Sequence, residues 1–109
     1  MYLYVLQLEG NNYYVGITAD PETRMAAHLT GGGAKWTQLH KPIDILLLTE
    51  ISGNCRKKES EMTLRMMEEY GVDNVRGGNW CSIKLSETPW QLRKDILIDM
   101  VESLPDYPG

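Results

Sequence analysis

The sequence predicts an α+β fold, in which short strands and helices follow one another along the chain. Three segments rich in Val, Ile, Leu and Tyr are bounded by Gly, Asn or Pro, as strands are. Other segments show apolar residues at helical spacing behind residues that cap helices. The 109 residues, 42% hydrophobic and 24% charged, are typical of one soluble globular domain spanning residues 1–109.

The predicted order is β-β-α-β-α, and it begins with a hairpin. Residues 2–9 and 13–18 favour strands, and the Gly-Asn-Asn cluster at 10–12 between them favours a turn. An Asp-Pro pair then predicts the start of a helix over residues 20–29. Aspartate caps helix N-termini, and proline suits the first helical position.

Residues 31–42 predict a Gly-rich, basic loop, and residues 43–51 predict a third strand. The continuous apolar run Ile45–Leu48 favours a strand buried on both faces. A second helix is expected from the cap Asn54 to about Tyr70, with glycine as its stop. The sequence then predicts a further helix over residues 88–103, which begins at a Thr-Pro pair.

Composition and charge narrow the classes of protein. No apolar run is long enough to cross a bilayer, and no secretory signal is expected. Two cysteines make neither a disulfide framework nor a zinc site, which favours a cytoplasmic setting. The net charge of −4 argues against a strongly basic nucleic-acid binder. Residues 1–58, however, hold six Lys/Arg against five Asp/Glu, so a basic face with an acidic back is compatible with the sequence.

Four residues in the first third of the chain form two pairs that could carry chemistry. Tyr4 and Tyr14 lie on the two strands of the hairpin, where they can share one face. Arg24 and His28 are spaced i, i+4 on the first helix and therefore share a face. Arginine can stabilise charge on a phosphoryl group, and histidine can move a proton near neutral pH. Taken singly, the tyrosines are more typical of ordinary strand aromatics, and Arg24 and His28 of a solvated helix face.

Glu59 is the predicted metal ligand. It lies on the apolar stripe of the second helix, whereas Glu61 falls on the opposite, water-facing stripe. A carboxylate directed at a core is costly unless it is paired or holds a cation. The alternative is that Glu59 only complements the helix dipole near the N-terminus.

Together these residues resemble the GIY-YIG nuclease superfamily. Tyr2-Leu3-Tyr4 and Tyr14-Val15-Gly16 are similar to the two motifs that give the family its name. The loop Gly33-Ala34-Lys35-Trp36-Thr37 is similar to the Gly-Ala-Lys-aromatic-Thr loop of small stand-alone members. Glu59 and Asn74 fall where that family places its metal-binding glutamate and a trailing asparagine. The resemblance covers residues 2–78.

The resemblance implies a three-stranded antiparallel sheet flanked by helices and hydrolysis of phosphodiester bonds of DNA, with Mg²⁺ or Mn²⁺ bound by Glu59. It implies catalytic roles for Tyr4, Tyr14, Arg24, His28 and Glu59. Substrate contacts are expected from Lys35, His40, Lys41 and Asn74. The acidic balance predicts weak DNA affinity by itself or dependence on a protein partner. The alternatives are a non-catalytic binding or assembly module of the same fold and an unrelated small α+β protein.

Overall fold

The computed structural model describes residues 1–82, 84–85 and 88–92. The strands are β1 (Tyr2–Leu8), β2 (Asn12–Thr18), β3 (Pro42–Glu50) and β4 (Val75–Gly77). The helices are α1 (Pro21–Leu29), α2 (Lys35–Leu39) and α3 (Cys55–Tyr70), with short 3-10 turns at Val72–Asn74 and Trp90–Leu92. Most of the helix predicted over 88–103, like the chain's end, lies outside the described residues.

The four strands form one mixed sheet in the order β3-β1-β2-β4. β1 pairs antiparallel with both β2 and β3, whereas β4 pairs parallel with β2. The α+β class is confirmed, but the expectation of three antiparallel strands alone was wrong. The fourth strand has three residues, which is too short for an alternating pattern to reveal it in the sequence.

The predicted turns and caps set the hairpin and the two long helices. Gly10 and Asn11 both adopt positive φ, at 74° and 59°, as a tight hairpin turn requires. The Asp20 carboxylate accepts a hydrogen bond from the backbone N–H of Thr23, and α1 begins directly after Asp20. The Asn54 side chain caps α3 in the same way, and Gly71 ends that helix.

The structure contradicts two sequence-based expectations between α1 and α3. The segment 31–42 is not a continuous loop, because Lys35–Leu39 forms the one-turn helix α2. β3 is not buried on both faces, because it is an edge strand that pairs with β1 alone in the described sheet. Four of its apolar side chains are exposed: Ile43, Ile45, Leu46 and Leu48. Apolar runs in edge and central strands look alike in a sequence.

The two faces of the sheet carry different clusters. On the face covered by α3, here called the apolar face, the buried residues are Leu3, Val5, Tyr13, Val15, Met66, Met67 and Val75. On the opposite face, here called the aromatic face, they are Tyr4, Leu6, Leu8, Tyr14 and Trp36. Successive strand residues point to opposite faces, so β1 and β2 supply both clusters.

The described helices include none with the length and apolar character that a bilayer crossing requires.

Candidate active site

His28 lies at the centre of the aromatic face. It is in the last turn of α1 and is 2% exposed. Its Nε2 lies 2.8 Å from the Tyr4 hydroxyl, and its Nδ1 lies 2.9 Å from Thr37 Oγ1. Both ring nitrogens of a buried histidine are therefore hydrogen-bonded, and α1 and α2 are joined to β1 through this one side chain.

Arg24 approaches the same tyrosine from one turn earlier on α1. Its Nε lies 3.4 Å from the Tyr4 hydroxyl and donates to it, and Tyr14 as well as Tyr4 raises the pKa of the guanidinium. The i, i+4 spacing places Arg24 and His28 on one helix face, as the sequence predicted. The Tyr4 hydroxyl consequently lies between a cation and an imidazole.

The two motif tyrosines share the aromatic face diagonally across the β1–β2 ladder. Tyr14 is opposite Leu6, and Tyr4 is opposite Gly16. The ring centroids of Tyr4 and Tyr14 are 6.2 Å apart, and each lies within 5.6 Å of the His28 ring centroid. A Cβ at position 16 would clash with the Tyr4 phenol, so only glycine lets that ring lie across β2.

Burial controls the protonation of this cluster. Desolvation raises the pKa of Tyr4 and of Tyr14, and the nearby Arg24 partly opposes both shifts. Burial, followed by the positive charge of Arg24, lowers the pKa of His28 to about 4. At pH 7 the imidazole is therefore neutral, the phenols are protonated and Arg24 is charged.

Glu59 lies on α3, the helix that covers the apolar face. It is half-buried in the second turn of that helix. Burial raises the pKa of Glu59, and the backbone N–H of Ile17 and the charge of Arg56 partly oppose that shift. The charge of Glu59 in turn raises the pKa of Tyr4. Glu61 is exposed and pairs with Lys57 at 3.9 Å. Helical phase thus separated the two glutamates correctly.

The four residues expected to contact substrate lie in different surroundings. Lys35 and Lys41 are exposed, and Lys41 lines a surface cavity of about 450 Å³ together with His28 and Thr37. His40 contacts Asn12 and the Trp36 ring. Asn74 donates to the Tyr70 carbonyl at 2.8 Å, so it caps the end of α3 opposite Glu59. The structure does not bring Asn74 to the Tyr4–His28 pair.

A family model described as the GIY-YIG catalytic domain matches residues 1–66. The chain belongs to the GIY-YIG family. The resemblance found in the sequence is thereby confirmed, and the matched segment contains Tyr4, Tyr14, Arg24, His28 and Glu59.

Several curated relatives share the name UPF0213 protein. One from Cupriavidus necator is 51% identical over 45 residues, which is 41% of this chain and 49% of that protein. One from Cupriavidus pinatubonensis is 35% identical over 66 residues, or 61% of this chain and 73% of that protein. One from Streptococcus pneumoniae is 40% identical over 45 residues, or 41% and 46%. The alignment with the first of these spans about half of its length. No solved structure matches the chain.

The donor set of this GIY-YIG site fits one hard cation. Within the described part of the chain, no three His, Cys, Asp or Glu side chains gather as a metal cluster. A Mg²⁺ ion does not need such a cluster, because it takes one or two carboxylates and completes its shell with water and substrate phosphate oxygens. Glu59 is half-buried and its charge raises the pKa of Tyr4, so it is a carboxylate of that kind.

Sequence reasoning missed several residues around the site. Thr37 was noted within a motif, but its contact with His28 was not anticipated. Gly33 packs against both, since a Cβ there would clash with His28 Nδ1. Cys81 lies near Glu59, whose charge adds to burial in raising the pKa of the thiol. The spacing from Thr37 to His28 crosses a turn of three glycines, so periodicity could not relate them.

Proposed function

We propose that this chain is a metal-dependent endonuclease that hydrolyses phosphodiester bonds of DNA. One observation carries the proposal: the Tyr4 hydroxyl lies 2.8 Å from His28 Nε2 and 3.4 Å from Arg24 Nε. A proton acceptor and a fixed cation thus converge on one phenol, whose pKa the charge of the Glu59 carboxylate also raises. This is the set of groups that in-line attack on a phosphodiester requires.

Proton transfer is assigned to Tyr4 and His28. As a water oxygen forms its bond to phosphorus, the water proton passes to the Tyr4 oxygen. The phenol proton moves at the same time to His28 Nε2, and the bond between phosphorus and the leaving oxygen breaks. Neither phenolate nor hydroxide has to exist free, which suits a tyrosine whose pKa is raised by burial.

Charge stabilisation is assigned to Arg24. Its guanidinium is partly exposed beside Tyr4 and has further N–H donors for a phosphate oxygen. Arginine would offset the charge that builds up on the phosphoryl oxygens during attack. Tyr14 would orient the phosphate or a water from the adjacent position on β2.

Glu59 is assigned to hold Mg²⁺ or Mn²⁺. When bound, such an ion polarises the scissile phosphate and stabilises the leaving oxygen. The chemistry of the donor set supports this assignment, since Glu59 is a partly buried carboxylate whose charge acts on Tyr4.

Nucleic acid is the proposed partner, and the charge of the protein predicts weak binding. Lys35 and Lys41 are the exposed cations proposed to contact the backbone near the His28 cavity, and His40 lies between them in sequence. Asn74, proposed from the resemblance as a further contact, would have to give up its bond to Tyr70. The net charge of −4 supplies little attraction for phosphates.

Two observations favour a second form of the proposal, a nuclease subunit that needs a protein partner. The charge is acidic, and the edge strand β3 exposes four large apolar side chains. A purely non-catalytic module is less well supported, because the Tyr4–His28–Arg24 geometry is intact. A cytoplasmic setting belongs to the same proposal, supported by the free thiols of Cys55 and Cys81.

The test is a cleavage assay on supercoiled, branched and single-stranded DNA and on RNA, with Mg²⁺, Mn²⁺ or EDTA. Two exposed residues of α3 supply the controls. Glu59→Gln is compared with Glu61→Ala, and Arg24→Ala is compared with Arg65→Ala. We expect metal-dependent DNA cutting that Glu59→Gln and Arg24→Ala abolish and the two controls retain. Equal cutting by all four variants would refute the assigned site. Absence of cutting with every folded variant would favour the partner-dependent form.

A further inference from the structure

We propose that Thr37 is a positioning residue that fixes the ring tautomer of His28. In this arrangement Nδ1 of His28 carries the proton, which leaves Nε2 free to accept the proton of Tyr4. The inference deepens the proposed function and rests on it for its catalytic meaning. The hydrogen-bond geometry that carries it is independent of any activity.

The argument begins with the single proton of the Thr37 hydroxyl. Thr37 Oγ1 lies 2.8 Å from the backbone carbonyl oxygen of Ala34. A carbonyl oxygen can only accept, so the Thr37 proton must point at Ala34. The Thr37 oxygen therefore has lone pairs, and no proton, to offer to any other neighbour.

That neighbour is His28 Nδ1, at 2.9 Å from Thr37 Oγ1. Because Thr37 can only accept in this contact, Nδ1 must be the donor and must carry a hydrogen. A neutral imidazole has one ring proton, so Nε2 is left with a lone pair. Nε2 lies 2.8 Å from the Tyr4 oxygen, which therefore donates to it. The direction of all three bonds follows from the Ala34 carbonyl.

The direction matters for the reaction. The opposite tautomer would place a hydrogen on Nε2, facing the Tyr4 oxygen, and His28 could then accept nothing from the phenol. With Nδ1–H fixed, the ring is ready to take the Tyr4 proton. The imidazolium that forms keeps its Nδ1–H bond to Thr37, which stabilises the charge.

Thr37 is itself held from several sides. It is 2% exposed on α2, and the adjacent Trp36 donates its indole N–H to the Tyr13 carbonyl of β2 at 3.0 Å. The guanidinium of Arg76 lies over the Trp36 ring at 4.6 Å. Gly33 lies directly against the pair, where a side chain would displace His28. A one-turn helix is thus anchored to the sheet beside the imidazole.

The test is ¹⁵N NMR of the full-length chain labelled at histidine. The sequence has two histidines, so His40→Gln assigns the His28 signals. In the wild type we expect a protonated Nδ1 and an unprotonated Nε2 at neutral pH. Thr37→Val keeps the volume but removes the acceptor, and we expect it to shift the ring towards Nε2–H or a mixture. Thr37→Ser should restore the wild-type pattern.

Cleavage assays on the same variants add the catalytic readout. We expect Thr37→Val to lower kcat roughly 10- to 100-fold with little change in KM, and Thr37→Ser to recover most of it. A wild-type ring protonated on Nε2 would overturn the inference, whatever Thr37→Val does. So would an unaltered tautomer in a folded Thr37→Val. If the tautomers behave as expected but no protein cuts nucleic acid, the proposal of a nuclease that acts by itself fails and the positioning role stands.

Discussion

The two faces of the sheet differ in what holds their side chains together. On the apolar face, Val5 and Val15 pack with Met67 of α3 through dispersion and the exclusion of water. On the aromatic face, one residue earlier along each of the same strands, Tyr4 and Tyr14 are buried with polar groups attached. The Tyr4 hydroxyl is hydrogen-bonded to His28 and Arg24, and both tyrosine rings lie against the His28 ring. Burial therefore contributes stability on one face and adjusts acid–base behaviour on the other.

Removing one oxygen from the aromatic face should give the largest effect on activity. Tyr4→Phe keeps the ring over Gly16 but deletes the group that links water to His28. We expect cleavage to fall by roughly 10²- to 10⁴-fold, the usual contribution of a positioned acid–base group. Single-turnover rates at saturating metal measure it. A variant that is folded and cuts at the wild-type rate would remove Tyr4 from the mechanism.

Removing apolar volume from the apolar face should lower stability and leave the cleavage rate unchanged. Met67 is 1% exposed in the apolar cluster, and Met67→Ala is expected to lower the free energy of unfolding by about 2–5 kcal/mol. Urea denaturation measures the loss. Below the unfolding transition, the cleavage rate per folded molecule should stay at the wild-type value. A large fall in that rate would show that the two faces are coupled.

The pH dependence of stability should also separate the faces. His28 has a pKa of about 4 when folded and 6.5 when unfolded, so the unfolded chain binds the extra proton first. The free energy of unfolding therefore has its full value above pH 6.5. As the pH falls towards 4, protonation of His28 in the unfolded chain lowers it by about 3 kcal/mol in total. Glu59, whose pKa burial raises, opposes this loss at the acidic end.

Urea unfolding between pH 7 and pH 4 tests this linkage. His28→Gln should flatten the slope relative to the wild type, and Glu59→Gln should steepen it. Equal slopes in wild type and His28→Gln would contradict a neutral buried imidazole.

The smallest expected change comes from filling the space beneath Tyr4. Gly16→Ala places a methyl group where the Tyr4 phenol lies, and such overpacking costs about 1–3 kcal/mol. Because the phenol must move, cleavage should fall as well, even where the protein stays folded. Thermal denaturation and cleavage rates together check it. Loss of stability with full activity would mean that Tyr4 tolerates displacement.

Local signals in the sequence predicted most of the elements, because capping and turn chemistry act over a few residues. Asp20, Asn54 and Gly71 mark helix ends by their own hydrogen bonds or backbone angles. Helical phase also distinguished Glu59 from Glu61. The expectations that were wrong concern features that depend on strands distant in the sequence. The short β4 forms because it pairs with β2, which is distant in the sequence. β3 lies at the edge of the sheet because it pairs with β1 alone.

The candidate site was predictable to the same extent. Strand and helix spacing paired Tyr4 with Tyr14 and Arg24 with His28, the family resemblance joined the two pairs in one site, and the structure brings all four side chains together. The roles of Thr37 and Gly33 were not predictable, since they arise where α2 folds back on α1. Asn74 was expected from the resemblance to contact substrate, which stays a prediction, and its amide caps α3 in the structure.

The parallel pairing of β4 with β2 has a consequence for the order of folding. It joins Tyr13 to Val75, residues more than sixty positions apart, whereas the β1–β2 hairpin closes within a few residues. Contacts between distant segments form late, because the entropy of closing a long loop is lost before any contact compensates for it. On the ribosome, we therefore expect the hairpin and α1 to bring Tyr4 and His28 together early. The contact of the Arg76 guanidinium with the Trp36 ring, which stabilises α2, would form after them.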